Sequence, residues 1–208
     1  MRRLLPNPCA NAGDAQTGLS RREQRLSPPP PIVIRPSGFR ERAGTKTMAK
    51  ILDFTDDQIF FTVTMGVGPG RANNRDDVTL VQYYLNLWIS HESVAAERRQ
   101  FGEGARQLLA TDGIIGPKTK ARIKMFETWM NDMQPLPRGD GCIDRMPNDR
   151  PGYQYADGSF GVCMIFYLNQ YVVEFYAPVY GNLLNLTRRP DFPPRLRSLV
   201  NRYSARVA

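Results

Sequence analysis

The 208-residue chain contains a single histidine, His91, and only three cysteines, Cys9, Cys142 and Cys163. One imidazole leaves no spare for a histidine-based metal site or a Ser/His/Asp triad. An odd number of thiols at these spacings matches no zinc or disulfide framework, so reduced structural thiols are expected. A Cys142–Cys163 bridge stays open, with nothing in the sequence that demands it. No stretch reaches the roughly 18 consecutive apolar residues of a membrane span. The start Met1-Arg2-Arg3-Leu4-Leu5 runs at once into Pro6, Asn7 and Pro8, so the apolar core of an export signal is missing.

Acidic residues are scarce at both ends, and the formal net charge is +8. Residues 1–47 hold nine Lys/Arg against Asp14, Glu23 and Glu41, and 188–208 hold six arginines against Asp191. The middle, 48–187, carries 13 basic and 16 acidic residues, a net of −3. The basic character therefore belongs to the ends. A folded nucleic-acid reader needs clustered positive charge on its own face, and the middle does not supply it. The ends retain the capacity for non-specific contact with anionic partners.

Residues 1–47 contain seven prolines, among them the run Pro28-Pro29-Pro30-Pro31, and few large apolar residues. They read as a disordered Pro/Arg-rich extension. Composition changes at Met48-Ala49-Lys50, which reads as a natural start with 1–47 upstream of it; an arginine-rich anchoring arm is the alternative. Intact mass of native protein separates the two.

Residues 58–65 are β-branched and aromatic, and read as a short strand or extended lead-in. Gly66, Gly68, Pro69 and Gly70 interrupt it, and Asn73-Asn74-Arg75-Asp76 offers caps for a helix over about 75–89. Val78, Val81, Leu85 and Trp88 mark one apolar face of that helix. A mixed-charge connection, 90–110, is helical around 93–99. A second helix over about 117–132 opens on Pro117, where a missing N–H costs nothing, and carries Ile123, Phe126 and Met130. Residues 134–158 read as a long loop. A third helix over about 159–176 is apolar almost all round and is expected to be the most buried, with Pro178 ending or kinking it. A short helical piece at 182–186 and an exposed basic helix over 195–206 complete the chain.

The sequence Val78-Thr79-Leu80-Val81-Gln82-Tyr83-Tyr84-Leu85 precedes Asp112-Gly113-Ile114-Ile115-Gly116-Pro117-Lys118-Thr119, and Ile123-Lys124-Met125-Phe126-Glu127 follows. This order resembles the peptidoglycan-binding domain family, in which a V-x-x-L-Q-x-x-L helix leads to D-G-x-x-G-x-x-T and a second helix. The motif positions are Val78, Val81, Gln82, Leu85, Asp112, Gly113, Gly116, Thr119, Ile123 and Phe126, with Glu127 where glutamine is usual. Asp140-Gly141-Cys142-Ile143-Asp144 resembles a degenerate second turn of the same fold, and Tyr167-Leu168-Asn169 its closing helix. The implied architecture is mainly α: a small three-helix bundle over 48–187 with long loops, an extended N-terminal tail and a basic C-terminal tail over 188–208.

The motif also has a local physical reading. Gly113 supplies positive φ in a tight turn. Ile114 or Ile115 drops into the core, Gly116 permits close backbone approach, and Thr119 bonds free backbone groups of the first helical turn. These residues build the fold as well as marking it.

The implied function is non-catalytic binding of peptidoglycan or another glycan. Tyr83, Tyr84, Trp88, Arg122 and Trp129 are the candidate ligand contacts, as aromatic faces for sugars and a cation for a stem carboxylate. Core packing competes for Trp88 and Trp129, and adjacency requires that at least one of Tyr83 and Tyr84 be partly exposed. No catalytic residue, metal ligand or cofactor is expected. Asp140, Asp144, Asp149 and Asp157 lack calcium-loop spacing, and neither Glu127 nor Glu174 has an evident acid/base partner. The alternative is a structural or accessory component of a phage particle that uses this fold for protein contacts through its basic ends. No membrane contact is expected, and the expected location is a particle or the cytoplasm ahead of export.

Overall fold

Extended chain comes first. In the computed structural model, which describes residues 49–55, 58–133, 139–146, 152–154, 160–180 and 183–207, strand β1 (Lys50–Thr55) pairs antiparallel with β2 (Gln58–Thr62). The stretch 1–47 with Cys9, the expected start at Met48, and Asp149 and Asp157 lie outside the described residues. β2 matches the expected lead-in, whereas β1 is a strand the sequence reading lacks. Phe60 and Phe61 are both buried, on opposite faces of β2. Phe60 meets Phe166 at 5.5 Å between ring centroids, and Phe61 meets Tyr84 edge-on at 6.3 Å. The strand is thus sandwiched between helices.

Helix α1 (Arg75–Ser90) follows, with Asp76 and Asp77 in its first turn, where carboxylates complement the positive helix end. Asn74 occupies the cap position without a side-chain cap bond. Asp77 is fully buried and fastens the preceding loop, accepting from Thr64 N, Thr64 Oγ1 and Met65 N at 2.9 Å each. Of the residues from Asp76 to Ile89, only Asn86 is not buried. α1, not the third helix, is therefore the central element. Its sequence is apolar beyond the 78-81-85-88 face, since Leu80, Tyr83, Tyr84, Leu87 and Ile89 are buried as well.

A 3-10 turn (Glu92–Val94), α2 (Ala95–Gln100) and a second 3-10 turn (Glu103–Arg106) cross to α3 (Pro117–Met133). Both α1 and α3 fall where their apolar spacing places them. Beyond α3, Val67 and Ile143 exchange backbone bonds at 3.0 and 2.8 Å. A second hairpin joins β3 (Gly152–Gln154) to β4 (Phe160–Val162). The third major helix, α4, is Met164–Tyr180, so its expected first residues form β4 instead. It also continues through Pro178, near its C-terminal end, where a lost N–H disturbs few bonds. Residues 164–172 are mostly buried, and residues 173–176 are partly or fully exposed.

A 3-10 segment (Leu183–Arg188) and α5 (Pro194–Val207) end the chain. The basic helix is present, but it is not a solvated tail. Phe192, Leu196 and Val200 are buried, and α5 packs on α1 and β1. Tyr83 meets Phe192 edge-on at 5.2 Å, and Arg195 pairs with Asp76. Each fully buried side chain of this size contributes about 1.5–3 kcal/mol, so the covering segment is integral to the body. The chain is mainly helical, and no helix among the described residues is long and apolar enough to cross a membrane.

Candidate functional site

Gln82 lies on the face of α1 toward the Asp112-Gly113 turn. Its Nε2 donates to Asp112 Oδ1 at 3.1 Å, Ile114 O at 3.0 Å and Thr119 Oγ1 at 3.2 Å. Its Oε1 accepts from Gly113 N at 3.0 Å. One buried amide therefore joins α1, the turn and the first turn of α3, which uses both donor and acceptor of the glutamine. Asp112 Oδ1 also takes Ile114 N at 2.9 Å, and Arg75 Nε reaches Asp112 O at 3.1 Å. The bonds from Ile114 N and Gln82 Nε2 to its charged form hold the Asp112 carboxyl below its ordinary pKa.

Gly113 has φ +75°, and a Cβ there would lie 2.4 Å from Arg75 Cγ and 2.5 Å from Arg75 O. Glycine is required on both counts. Gly116 is different: nothing lies within 4 Å of a Cβ placed there, so the expected close approach is absent, and its carbonyl instead starts α3 by accepting from Lys120 N at 3.1 Å. Thr119 bonds Gln82 rather than free backbone groups. Ile115 turns toward the core, while Ile114 is 62% exposed.

One turn further along α1, Asn86 clamps Leu109. Its Oδ1 accepts from Leu109 N at 2.8 Å and its Nδ2 donates to Leu109 O at 2.9 Å. From α3, Arg122 Nη2 donates to Gly104 O at 3.3 Å and Gln107 O at 2.8 Å. Lys118 Nζ reaches Gln107 Oε1 at 3.2 Å. Residues 104–114 thus form a strap tied to two helices by side chains, with Leu108 61% exposed on its outside.

The five candidate contacts do not line this surface. Tyr83, Tyr84 and Trp88 are buried in the core, against the expectation that one tyrosine be partly exposed; Phe192, just before α5, covers Tyr83, and Phe61 of β2 covers Tyr84. Trp88 packs edge-on to Phe126 at 5.2 Å and against Trp129 at 5.6 Å. Trp129 alone keeps partial exposure, beside Tyr171 at 5.6 Å. Arg122 is buried rather than a surface arginine. No carboxylate pairs with it among the described residues, and its Nη1 has no partner. Burial lowers its pKa, yet a guanidinium keeps its proton in a protein. A buried, uncompensated cation stands directly behind the strap.

The second turn repeats the first. Glu127 on α3 is the counterpart of Gln82 on α1. Its carboxylate accepts from Gly141 N at 2.8 and 3.0 Å and from Cys142 N at 3.2 Å. Asp140 Oδ1 takes Cys142 N at 3.1 Å, as Asp112 takes Ile114 N. Gly141 has φ +77°. Ile123, Phe126, Glu127 and Met130 on α3 keep the spacing of Val78, Val81, Gln82 and Leu85 on α1. Burial raises the Glu127 pKa, with the backbone bonds and Lys124 opposing.

Arg71 bridges Asp140 at 3.2 Å and Asp144 at 3.0 Å beside this turn. Cys142 and Cys163 are both buried and are not bridged to one another, and burial pushes the Cys163 thiol up to about 12. No group of three His, Cys, Asp or Glu residues suited to a metal occurs among the described residues. His91 is partly buried at the end of α1, where Nδ1 accepts from Ser93 N at 3.2 Å and the ring lies 4.5 Å from Phe175.

Three contributors escape sequence reasoning. Asn86 and Asn169 look like ordinary polar helix residues, yet each satisfies the backbone of one distant residue. Asn169 Oδ1 accepts from Phe61 N at 2.9 Å and its Nδ2 donates to Phe61 O at 2.7 Å. Glu127 shows only as a departure from glutamine. The repeated spacing along α1 and α3 is the one signal that points to it. The chain matches no family model, no curated protein and no solved structure.

Proposed function

We propose that this chain is a non-catalytic binding module for peptidoglycan, and that the strap 104–114 is its contact surface. The observation that carries the reading is the Gln82 network, which unites Asp112, Gly113, Ile114 and Thr119 in one rigid unit. The residues that resemble the peptidoglycan-binding family are those that fix this unit. Beside it, Leu108 and Ile114 stay exposed although the backbone around them is tightly held. Held backbone with exposed aliphatic side chains suits recognition, because little order is lost on binding. Absence of catalysis is supported by Glu127, whose carboxylate is committed to the amides of Gly141 and Cys142. A glycosidase acid has to face its substrate.

Sedimentation with insoluble peptidoglycan tests the proposal. The folded chain is expected in the pellet, and a zymogram is expected to show no clearing. Recovery of all the folded protein in the supernatant sinks the reading. A second reading, an accessory part of a phage particle, draws on the exposed Met65, Leu108 and Ile114 as contacts for a protein neighbour. It predicts a fixed copy number in purified particles, measured by quantitative mass spectrometry.

A further inference from the structure

The strap forms no strand of its own, but at Leu109 one backbone edge is taken. Gln107 leaves the 3-10 turn in extended conformation, at φ −77° and ψ 127°. Leu109 is buried between the exposed Leu108 and Ala110, one reversal of a pleat, and Gln107 before them is exposed as well. In such a segment, N–H and C=O of one residue point to one edge and those of its neighbours to the other. Both polar groups of Leu109 are turned to Asn86. Gln107, of the same parity, turns its carbonyl to Arg122 on the same inner side. The groups of Leu108 and Ala110 therefore face outward, and neither makes a backbone hydrogen bond among the described residues.

The same pattern occurs at Phe61, where Asn169 takes one edge and β1 pairs along the other. At the strap, no strand among the described residues takes the position equivalent to β1.

We propose that the outer edge of Leu108 and Ala110 receives the peptide stem of the wall polymer, an extended chain with small aliphatic side chains and free carboxylates, by main-chain pairing. This rests on the wall-binding reading above and moves recognition from the sugar to the peptide. Main-chain pairing provides affinity, and flanking groups provide selection. Leu108 and Ile114 offer aliphatic contacts for methyl groups. Arg75, Lys118 and Arg122 all reach the strap and its turn, with Arg106 exposed within it. Against them stand Glu103 and Asp112, and the Asp112 carboxylate is already bonded to Gln82 and Ile114.

This is a cationic locality in a segment, 48–187, whose net charge is −3. It favours an anionic guest, and the uncompensated Arg122 lies in a low-dielectric setting where its field is least screened. The buried positions of Tyr83, Tyr84 and Trp88 argue the same way, since they withdraw the aromatic faces a sugar would use. A second copy of the chain is a poor occupant. The cations of two copies would be brought together, and like charges at close range oppose association.

The test compares two forms of the wall and one soluble probe, with the full chain. Intact sacculi are expected to retain the protein, and glycan strands freed of peptide by an amidase are not. A synthetic stem tetrapeptide is expected to shift the amide resonances of Leu108 and Ala110, with at least tenfold weaker binding when its carboxylates are amidated. Ala110→Pro removes an outward N–H and leaves the Asn86 clamp intact. Leu108→Asp opposes the anionic guest without touching backbone. Each is expected to weaken tetrapeptide binding at least tenfold with an unchanged near-ultraviolet spectrum. Equal retention on stripped glycan and intact sacculi overturns the peptide inference and leaves wall binding standing. Retention on neither overturns both. Tetrapeptide shifts confined to other residues, or shifts of Leu108 and Ala110 that follow protein dilution alone, also overturn the inference.

Discussion

The Asp112-Gly113 and Asp140-Gly141 turns are hung from adjacent helices in the same way, yet their anchors differ in charge. Gln82 both donates and accepts, so every contact it makes in the first turn is complementary. Glu127 can only accept. It takes the amides of Gly141 and Cys142 and has Lys124 3.5 Å away as its cation, with Asp140 opposing. The first turn is packed against α1, while the second is braced by a surface cluster of Arg71, Asp140 and Asp144. A neutral anchor holds its turn without a titratable group of its own, and only Asp112 within the turn responds to pH. A buried carboxylate gives the same backbone path with a titratable weakness.

The two turns should differ most at their glycines. Gly113→Ala is expected to cost about 3 kcal/mol or more, from left-handed strain and the clash with Arg75. Gly141→Ala has a similar φ, but its nearest neighbour atom would lie 3.9 Å away, so about 1 kcal/mol is expected. Urea denaturation of both variants reads the difference, and equal losses would refute the packing contrast.

The anchors come next. Gln82→Glu turns a donor into an acceptor facing Asp112 Oδ1, Ile114 O and Thr119 Oγ1, and about 2–4 kcal/mol of stability should be lost. Glu127→Gln keeps an oxygen for the Gly141 amide and removes a buried charge, so a change within about 1 kcal/mol is expected.

The pH dependence has opposite signs at the two turns. The raised pKa of Glu127 contributes stability that is fully present below its ordinary value and is lost as pH rises through the raised folded value. The depressed pKa of Asp112 contributes stability that is present above its ordinary value and is lost as pH falls through the folded one. In Glu127→Gln the loss on raising pH should shrink. It should not vanish, because Asp77 is also raised by burial. Urea midpoints followed from acid to neutral pH in both proteins check this, and identical slopes would refute it.

The smallest effect is expected from Arg71→Gln. Arg71, Asp140 and Asp144 are each about a third exposed, so no more than about 1 kcal/mol is expected, diminishing with added salt.

The legible parts of the fold were those with local causes. α1 and α3 follow from apolar spacing and from Pro117, and Gly113 follows from turn chemistry. The fully buried Tyr83 and Tyr84 were not legible, because their burial depends on β2 and α5, which come from distant parts of the chain. α5 itself reads as a charged tail, since four arginines and three prolines between 190 and 206 outweigh Leu196 and Val200 in composition. Only the position of α1 beside it shows which face is covered. The Asn169 clamp joins residues 108 apart, and no property of an isolated asparagine announces such a partner. The candidate site was legible as a turn and not as a surface. Exposure of Leu108 and Ile114, and the pairing of Leu109 with Asn86, emerge only when the strap is laid along α1.

The decisive measurement for wall binding through the strap is co-sedimentation of folded wild-type protein and of Leu108→Asp/Ile114→Asp with purified sacculi. The wild type is expected in the pellet, and the double variant, equally folded, in the supernatant. Wild-type protein left in the supernatant, or both proteins pelleting alike, would contradict it.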